Sequence, residues 1–203
     1  MKLKDARVGF AMCGSYCTHR QTLDALRELV PQCGTIIPIL AEESGGQDTR
    51  FGSSQQLREQ LEQLTGHSVW DRIVQVEPIG PKKLLDLLII APCTGNTLGK
   101  LAAGITDTAI TMAAKAHLRN GGPVLLAPST NDGLSVSLRN LGDLLSRKGY
   151  FCVPFGQDDP MGKPNSLVAH MELILPAAQS ALEDVQFQPV LLASNLEQAA
   201  LRP

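Results

Sequence analysis

Short apolar runs alternate along the chain with stretches of helical spacing, and no internal repeat or long low-complexity tract interrupts them. One run, Leu85 to Ala91 (LDLLIIA), is nearly all apolar, as a parallel strand covered on both faces must be. With 203 residues, 43% of them hydrophobic and 19% charged, the chain has the length and composition of one packed domain. These three observations predict a single α/β domain over residues 1–203. Its expected form is a doubly wound, mostly parallel Rossmann-like or flavodoxin-like sheet with helices on both faces.

The elements follow in order. Arg7 to Met12 is expected as a buried strand, and Gly14-Ser15 turns the chain into a helix from Thr18 to Val30. Leu23, Leu26, Leu29 and Val30 share its inner face. Thr35 to Leu40 is a second strand, and Pro38 within it points to an edge strand or an irregular end, because proline cannot donate to a ladder. After a polar loop from Glu42 to Gly52, Ser53 caps a helix that runs to about Leu64 and stops at Gly66. Arg72 to Val76 is a weak strand, and Pro78 to Lys83 a loop. Leu85 to Ala91 is the central strand, followed by helical stretches at Thr97–Ala103 and Asp107–Leu118. Pro123 to Ala127 is a further central strand, Ser135 to Lys148 a helix with Leu138, Leu141, Leu144 and Leu145 inward, and Tyr150 to Pro154 a last strand. Ser166 to Leu182 is expected as the final helix, with a less regular tail from about residue 184.

Composition excludes several classes of function. The net charge is −2 with mixed signs, so there is no basic stripe for a nucleic acid. No apolar run approaches the roughly 20 residues of a membrane helix, and the start resembles a strand more than a secretion signal, so no membrane is expected and the cytoplasm is the default location. The five cysteines (Cys13, Cys17, Cys33, Cys93, Cys152) are odd in number and form no CxxC pair, which argues against a disulfide framework or zinc knuckle. Cys13 and Cys17 are read as reduced thiols around the first turn, a redox pair being the alternative. His19, His67, His117 and His170 have no metal-ligand spacing, so no metal site is expected.

In a doubly wound sheet, ligands bind beyond the carboxyl ends of the strands. Three such ends carry polar, glycine- or proline-bearing turns. At Cys13-Gly14-Ser15, glycine admits a close backbone approach, serine offers a hydroxyl, and the helix start offers free N–H groups. Only one glycine of a G-x-G-x-x-G fingerprint is present, so a monophosphate fits better than NAD; an ordinary tight turn is the bland alternative. Pro92-Cys93-Thr94-Gly95-Asn96-Thr97 is more distinctive, with small and hydroxyl residues that leave room for a flat ring or phosphate. Pro128-Ser129-Thr130-Asn131-Asp132 has the same character on the next strand, and two such turns on adjacent strands face one cleft.

The stretch 91–107, APCTGNTLGKLAAGITD, resembles the APASANT-type loop of the flavin-binding decarboxylase family. Stretches 48–52 (DTRFG), 77–83 (EPIGPKK), 112–121 (MAAKAHLRNG), 154–160 (PFGQDDP) and 163–169 (KPNSLVA) are similar to the branch of B subunits of dipicolinate synthase, over about Val8 to Val190. The resemblance implies FMN, with Gly14 and Ser15 at its phosphate. It places Thr94, Gly95, Asn96 and Thr97 along the flavin, and Ser129, Thr130 and Asn131 beside the ring or substrate. It further implies a homo-oligomer, a trimer or multiple of three. The implied partner is the nicotinamide-binding A subunit of such a synthase, carrying NAD(P). The implied reaction oxidises dihydrodipicolinate to dipicolinate in the mother cell of a sporulating bacterium.

A dicarboxylate substrate needs cationic hosts. Arg50 is a candidate through its planar guanidinium, or else a solvated loop residue. Lys163, near Asn165 and Ser166, could close over the cleft or form a surface ion pair. Asp158 and Asp159 could be paired acid–base carboxylates, though a turn between Gly156 and Pro160 is the simpler reading. The family's cysteine decarboxylases carry a histidine in the region that is here Ile73 to Lys83, and a P-x-M-N motif. This chain has neither, since Pro128-Ser129-Thr130-Asn131 lacks the methionine. Two alternatives remain open: a different flavin-dependent decarboxylase or prenyltransferase, and a non-catalytic scaffolding subunit.

Overall fold

The computed structural model describes residues 1–41 and 53–192. Among the described residues seven strands form the sheet: β1 (Arg7–Met12), β2 (Thr35–Leu40), β3 (Leu87–Cys93), β4 (Val124–Thr130), β5 (Tyr150–Cys152), β6 (Phe155–Gly156) and β7 (Leu167–Ala169). β2, β1, β3 and β4 lie side by side in that order, all parallel, and β5 joins the first half of β4, also parallel. This 2-1-3-4-5 order is the flavodoxin-like arrangement, which reverses between β1 and β3. The expected doubly wound α/β architecture is therefore present.

The helices are α1 (His19–Leu29), α2 (Ser54–Thr65), the single turns α3 (Ile73–Val76) and α4 (Ile79–Lys82), α5 (Gly95–Ala102), α6 (Ala109–Leu118), α7 (Leu138–Leu145) and α8 (Ile174–Leu182). The core lies in the sheet and the faces packed on it. Phe10, Met12 and Leu87 to Ile90 are fully buried, as are Leu26 and Leu29 of α1. Ser53 caps α2 as expected: its Oγ accepts the Gln56 N–H at 3.1 Å, and Gly66 ends the helix with φ 71°. Pro38 does sit on the outer strand. Leu40, two residues on and facing the same way, donates outward to the Trp70 carbonyl at 2.9 Å, so the missing proline N–H breaks no bond to β1.

Several boundaries differ from the sequence reading. Arg72–Val76 is helical, because the Gln75 side chain turns back to accept the N–H groups of Asp71 and Arg72 at 3.0 and 2.9 Å. The Pro78–Lys83 loop contains α4. The last helix begins only at Ile174, since Leu167–Ala169 pairs as a strand instead. β5 parallels only Val124 to Leu126 of β4, which leaves the far end of β4 open, and β7 enters there antiparallel, with Ser129 opposite Val168. Leu138, expected inward, is 44% exposed at the first turn of α7 beside exposed Leu134 and Val136. The described part of the tail, to residue 192, is anchored: Gln186 accepts from the Cys152 N–H and donates to its carbonyl at 2.8 and 2.7 Å. Among the described residues no helix is long and apolar enough to cross a membrane.

Candidate functional site

The turns that follow β1, β3 and β4 meet at the carboxyl edge of three neighbouring strands. A hydroxyl cluster ties the first to the third. Ser15 Oγ lies 2.8 Å from Ser129 Oγ, and Thr18 Oγ1 lies 3.3 Å from Ser129 Oγ while donating to the Ser15 carbonyl at 2.8 Å. Ser129 is buried within β4, so one rigid strand residue holds a turn 114 positions earlier in the chain. Beneath that turn, His19 Nε2 reaches the Cys13 carbonyl at 2.8 Å. A carbonyl oxygen only accepts, so Nε2 carries the hydrogen. Burial holds the His19 imidazole below its ordinary pKa and favours the neutral ring.

A second polar cluster lies within the third turn, and the second turn packs against it. Asp132 Oδ1 accepts from the Thr130 hydroxyl and from Ser137 Oγ, the latter at 2.9 Å. Those hydrogen bonds, the one from Thr130 first, hold the carboxyl below its usual range. Gly95, the first residue of α5, fits against the cluster with no room to spare. A Cβ there would lie 2.5 Å from Ser137 Oγ, 2.7 Å from Asp132 Oδ1 and 2.8 Å from Thr130 Oγ1. Glycine is thus what lets the start of α5 sit against the β4 turn.

Between these clusters opens a cavity of about 530 Å3. Gly14, Ser15, Thr94, Gly95 and Asn96 line it from the first two turns, and Ser129, Thr130 and Asn131 from the third. Lys163 also lines it, with Nζ 3.6 Å from Asp158 Oδ2. Thr97 points elsewhere. It is buried, its N–H donates to the capping Thr94 hydroxyl at 3.3 Å, and its own hydroxyl lies 3.1 Å from Cys13 Sγ. Asn165 is exposed and does not line the cavity; its carbonyl accepts the Leu134 N–H at 2.9 Å, and its neighbour Ser166 takes the lining position. Arg50 lies outside the described residues.

Sequence reasoning missed Thr18, Gln21, Ser166 and Val168 as lining residues; Asp132 and Asp158, which it had named in a cleft-facing turn and as a possible acid–base carboxylate, also line the cavity. Thr18 carried a signal, since it stands three positions after Ser15 at the helix start. Ser166 and Val168 carried none, because they reach the cavity only through the antiparallel entry of β7.

The first and second turns also border a smaller hollow of about 240 Å3 on the side of β2 and α6. Gly14, Thr94 and Asn96 line both spaces. Cys13 and Cys93 stand together at the buried ends of β1 and β3, and burial pushes the Cys93 thiol well up, which makes it a poor thiolate.

The turns, clusters and cavity can be set beside known proteins. The chain is 44% identical over 190 residues to the B subunit of dipicolinate synthase from Bacillus subtilis (strain 168), covering 94% of this chain and 95% of that one. A crystal structure of the B subunit of dipicolinate synthase from Bacillus halodurans C superposes with a TM-score of 0.87 at 40% identity, covering 96% of this chain and all of the other. The FMN-dependent cysteine decarboxylase SpaF shares the fold, with a TM-score of 0.65 at 20% identity over 90% of this chain and 98% of its own. A model of the family described as Flavoprotein matches residues 1–174. That match, and a relative aligned along nearly its whole length, show that the chain belongs to the Flavoprotein family.

Proposed function

We propose that the chain binds FMN in the large cavity and acts as the B subunit of a dipicolinate synthase. In that role it works with the nicotinamide-binding A subunit, which carries NAD(P), to oxidise dihydrodipicolinate to dipicolinate. The observation that carries the reading is the hydroxyl-lined cavity at the joined ends of β1, β3 and β4. Its volume, about 530 Å3, falls within the roughly 300–1,000 Å3 of cofactor sites.

The lining fits a phosphate-bearing planar group. Ser15 and the turn at Gly14 offer a hydroxyl and backbone N–H groups to a phosphate. Thr94, Gly95 and Asn96 present a low wall to a ring, and Ser129, Thr130 and Asn131 present hydrogen-bonding groups from the other side. Thr97 supports that wall from behind. Bound FMN would supply a two-electron acceptor. The residues themselves orient the ring, exclude water and keep the polar edge fixed, which is most of what an aromatising oxidation asks of a protein. Lys163 is proposed to meet a substrate carboxylate at the cavity that it lines, and Arg50 and Asn165 stay proposed as further carboxylate hosts. A homo-oligomer, in threes, within the cytoplasm of a sporulating bacterium's mother cell completes the proposal.

The test is the absorbance spectrum of the purified protein, followed by reconstitution with the nicotinamide-binding partner and its cofactor. A bound flavin, and dipicolinate formed only when both proteins are present, are expected. Carbon dioxide released from a cysteine-containing substrate, or a flavin-free protein that takes up no added FMN, would overturn the reading.

A further inference from the structure

Two thiols that the proposed chemistry does not use end β1 and β3 side by side. In a parallel ladder a residue's N–H bonds the carbonyl that precedes its neighbour on the next strand. The Cys13 N–H donates to the Pro92 carbonyl at 3.3 Å, which sets Cys13 opposite Cys93. Neighbouring strands stand about 4.8 Å apart, inside the roughly 4.4–6.8 Å that separates the Cα atoms of a disulfide. Both residues are buried free thiols, and their side chains hydrogen-bond each other. Cys13 Sγ also lies 3.1 Å from the hydroxyl of Thr97, in the first turn of α5, and accepts the N–H of the capping Thr94. Three donors thus converge on one sulfur. The bond from Cys93 first, then those from Thr97 and Thr94, hold the Cys13 thiol below its ordinary range despite its burial. Burial instead pushes Cys93 up, so it stays the protonated member of the pair. Cys17, the other candidate partner for Cys13, is exposed, with its sulfur 3.8 Å from Ser15 Oγ.

We propose that Cys13 and Cys93 are a redox-active dithiol that a hydroperoxide converts to a disulfide, with Cys13 as the attacking sulfur and Cys93 as the resolving one. Cys13 borders the smaller hollow but is only 2% exposed, so the oxidant must be close to water in size, as hydrogen peroxide is. In the first step the Cys13 sulfur takes one peroxide oxygen. The O–O bond breaks, an S–O bond forms, and the other oxygen leaves as water with the Cys13 proton. In the second step the Cys93 sulfur displaces the hydroxyl of that sulfenic acid. The S–O bond breaks, the S–S bond forms, and the Cys93 proton leaves with the oxygen as a second water. The two thiols lose two electrons and the peroxide gains them. The link draws Cys13 Sγ from the Thr97 hydroxyl and ties together the stems of the turns that carry Gly14 and Thr94, both of which line the large cavity.

The experiment treats the folded full chain with graded hydrogen peroxide, unfolds it in an alkylating agent, and maps the peptides by mass. The parent is expected to lose alkylation at Cys13 and Cys93 together and to yield a linked peptide that dithiothreitol separates. Cys93→Ser is expected to stop at a Cys13 sulfenic acid, trapped by dimedone, and Cys13→Ser to leave Cys93 a thiol at peroxide levels that convert the parent. Both cysteines still alkylated in the parent, at peroxide that oxidises exposed Cys17, overturns the proposal. So does a linkage of Cys13 to Cys17, or a Cys93 that oxidises in Cys13→Ser as readily as in the parent. The parent's own linkage map needs no substitution, so it decides the pair even where a variant fails to fold.

Discussion

Gly95→Ala is the sharpest perturbation of the site, because one methyl group tests whether the β3 and β4 turns meet as described. The added Cβ would approach Ser137 Oγ to 2.5 Å and Asp132 Oδ1 to 2.7 Å, distances at which something must move. Forcing a carbon into a packed region costs about 1–3 kcal/mol. Displacing Ser137 from Asp132 loses a hydrogen bond to a charged group, about 1.5 kcal/mol or more, though Asp132 is exposed and water recovers part of it. Alanine regains about 0.5–1 kcal/mol over glycine in a helix, which offsets some of the loss. The expected net cost is about 2 kcal/mol, or roughly 4–8 °C in Tm for a chain of this size. Thermal and denaturant unfolding at fixed protein concentration read it directly. Ser137→Ala removes the nearest obstructing oxygen, so the double variant should recover part of the loss, a coupling that a cycle of four proteins measures. A Gly95→Ala protein as stable as the parent, or a double variant with strictly additive losses, would refute the reasoning.

Further expectations concern other parts of the fold. His117 is buried, its Nε2 sits 3.1 Å from the Pro123 carbonyl, and burial pushes its pKa down from 6.5 to about 4. A histidine depressed in the folded state binds fewer protons there than when unfolded. Its contribution is therefore whole above pH 6.5 and is lost as pH falls toward 4, about 3 kcal/mol in all. His117→Gln should flatten the pH dependence of unfolding in that window, with His19 leaving a residual slope of the same sign; an unchanged slope would reject the assignment. Ser129→Ala removes the centre of the hydroxyl cluster and should cost about 1 kcal/mol in denaturant unfolding. If Ser15 holds the phosphate, FMN affinity should fall about tenfold by flavin fluorescence titration, and an unaltered affinity would show that Ser129 does not position it. Gln186→Ala leaves both backbone groups of buried Cys152 without their partner, so the urea midpoint should drop by the equivalent of about 2 kcal/mol. No change would mean that the tail does not support β5.

Much of the site was legible because the residues that line it directly follow strands whose pattern is unmistakable. Val8 to Met12, Leu87 to Ile90 and Val124 to Ala127 are buried on both faces, and such runs leave little ambiguity about where a strand ends. Thr94 and Ser129 were found for that reason. Ser166 and Val168 were not, since a non-local strand pairing brings them in.

Local chemistry determined the α/β class, the edge position of Pro38, the Ser53 cap, and the three polar turns, because each depends on periodicity, a missing N–H or a few adjacent residues. Tertiary structure decided the rest. Short segments such as Arg72–Val76 and Leu167–Ala169 have too little intrinsic preference to resist a side-chain cap or an open strand edge. The carboxyl edge carries a large cavity and a smaller hollow that share Gly14, Thr94 and Asn96, and both arise from how α5, α6 and β7 pack together. Such packing contacts join residues far apart in the chain, and no local window contains both partners.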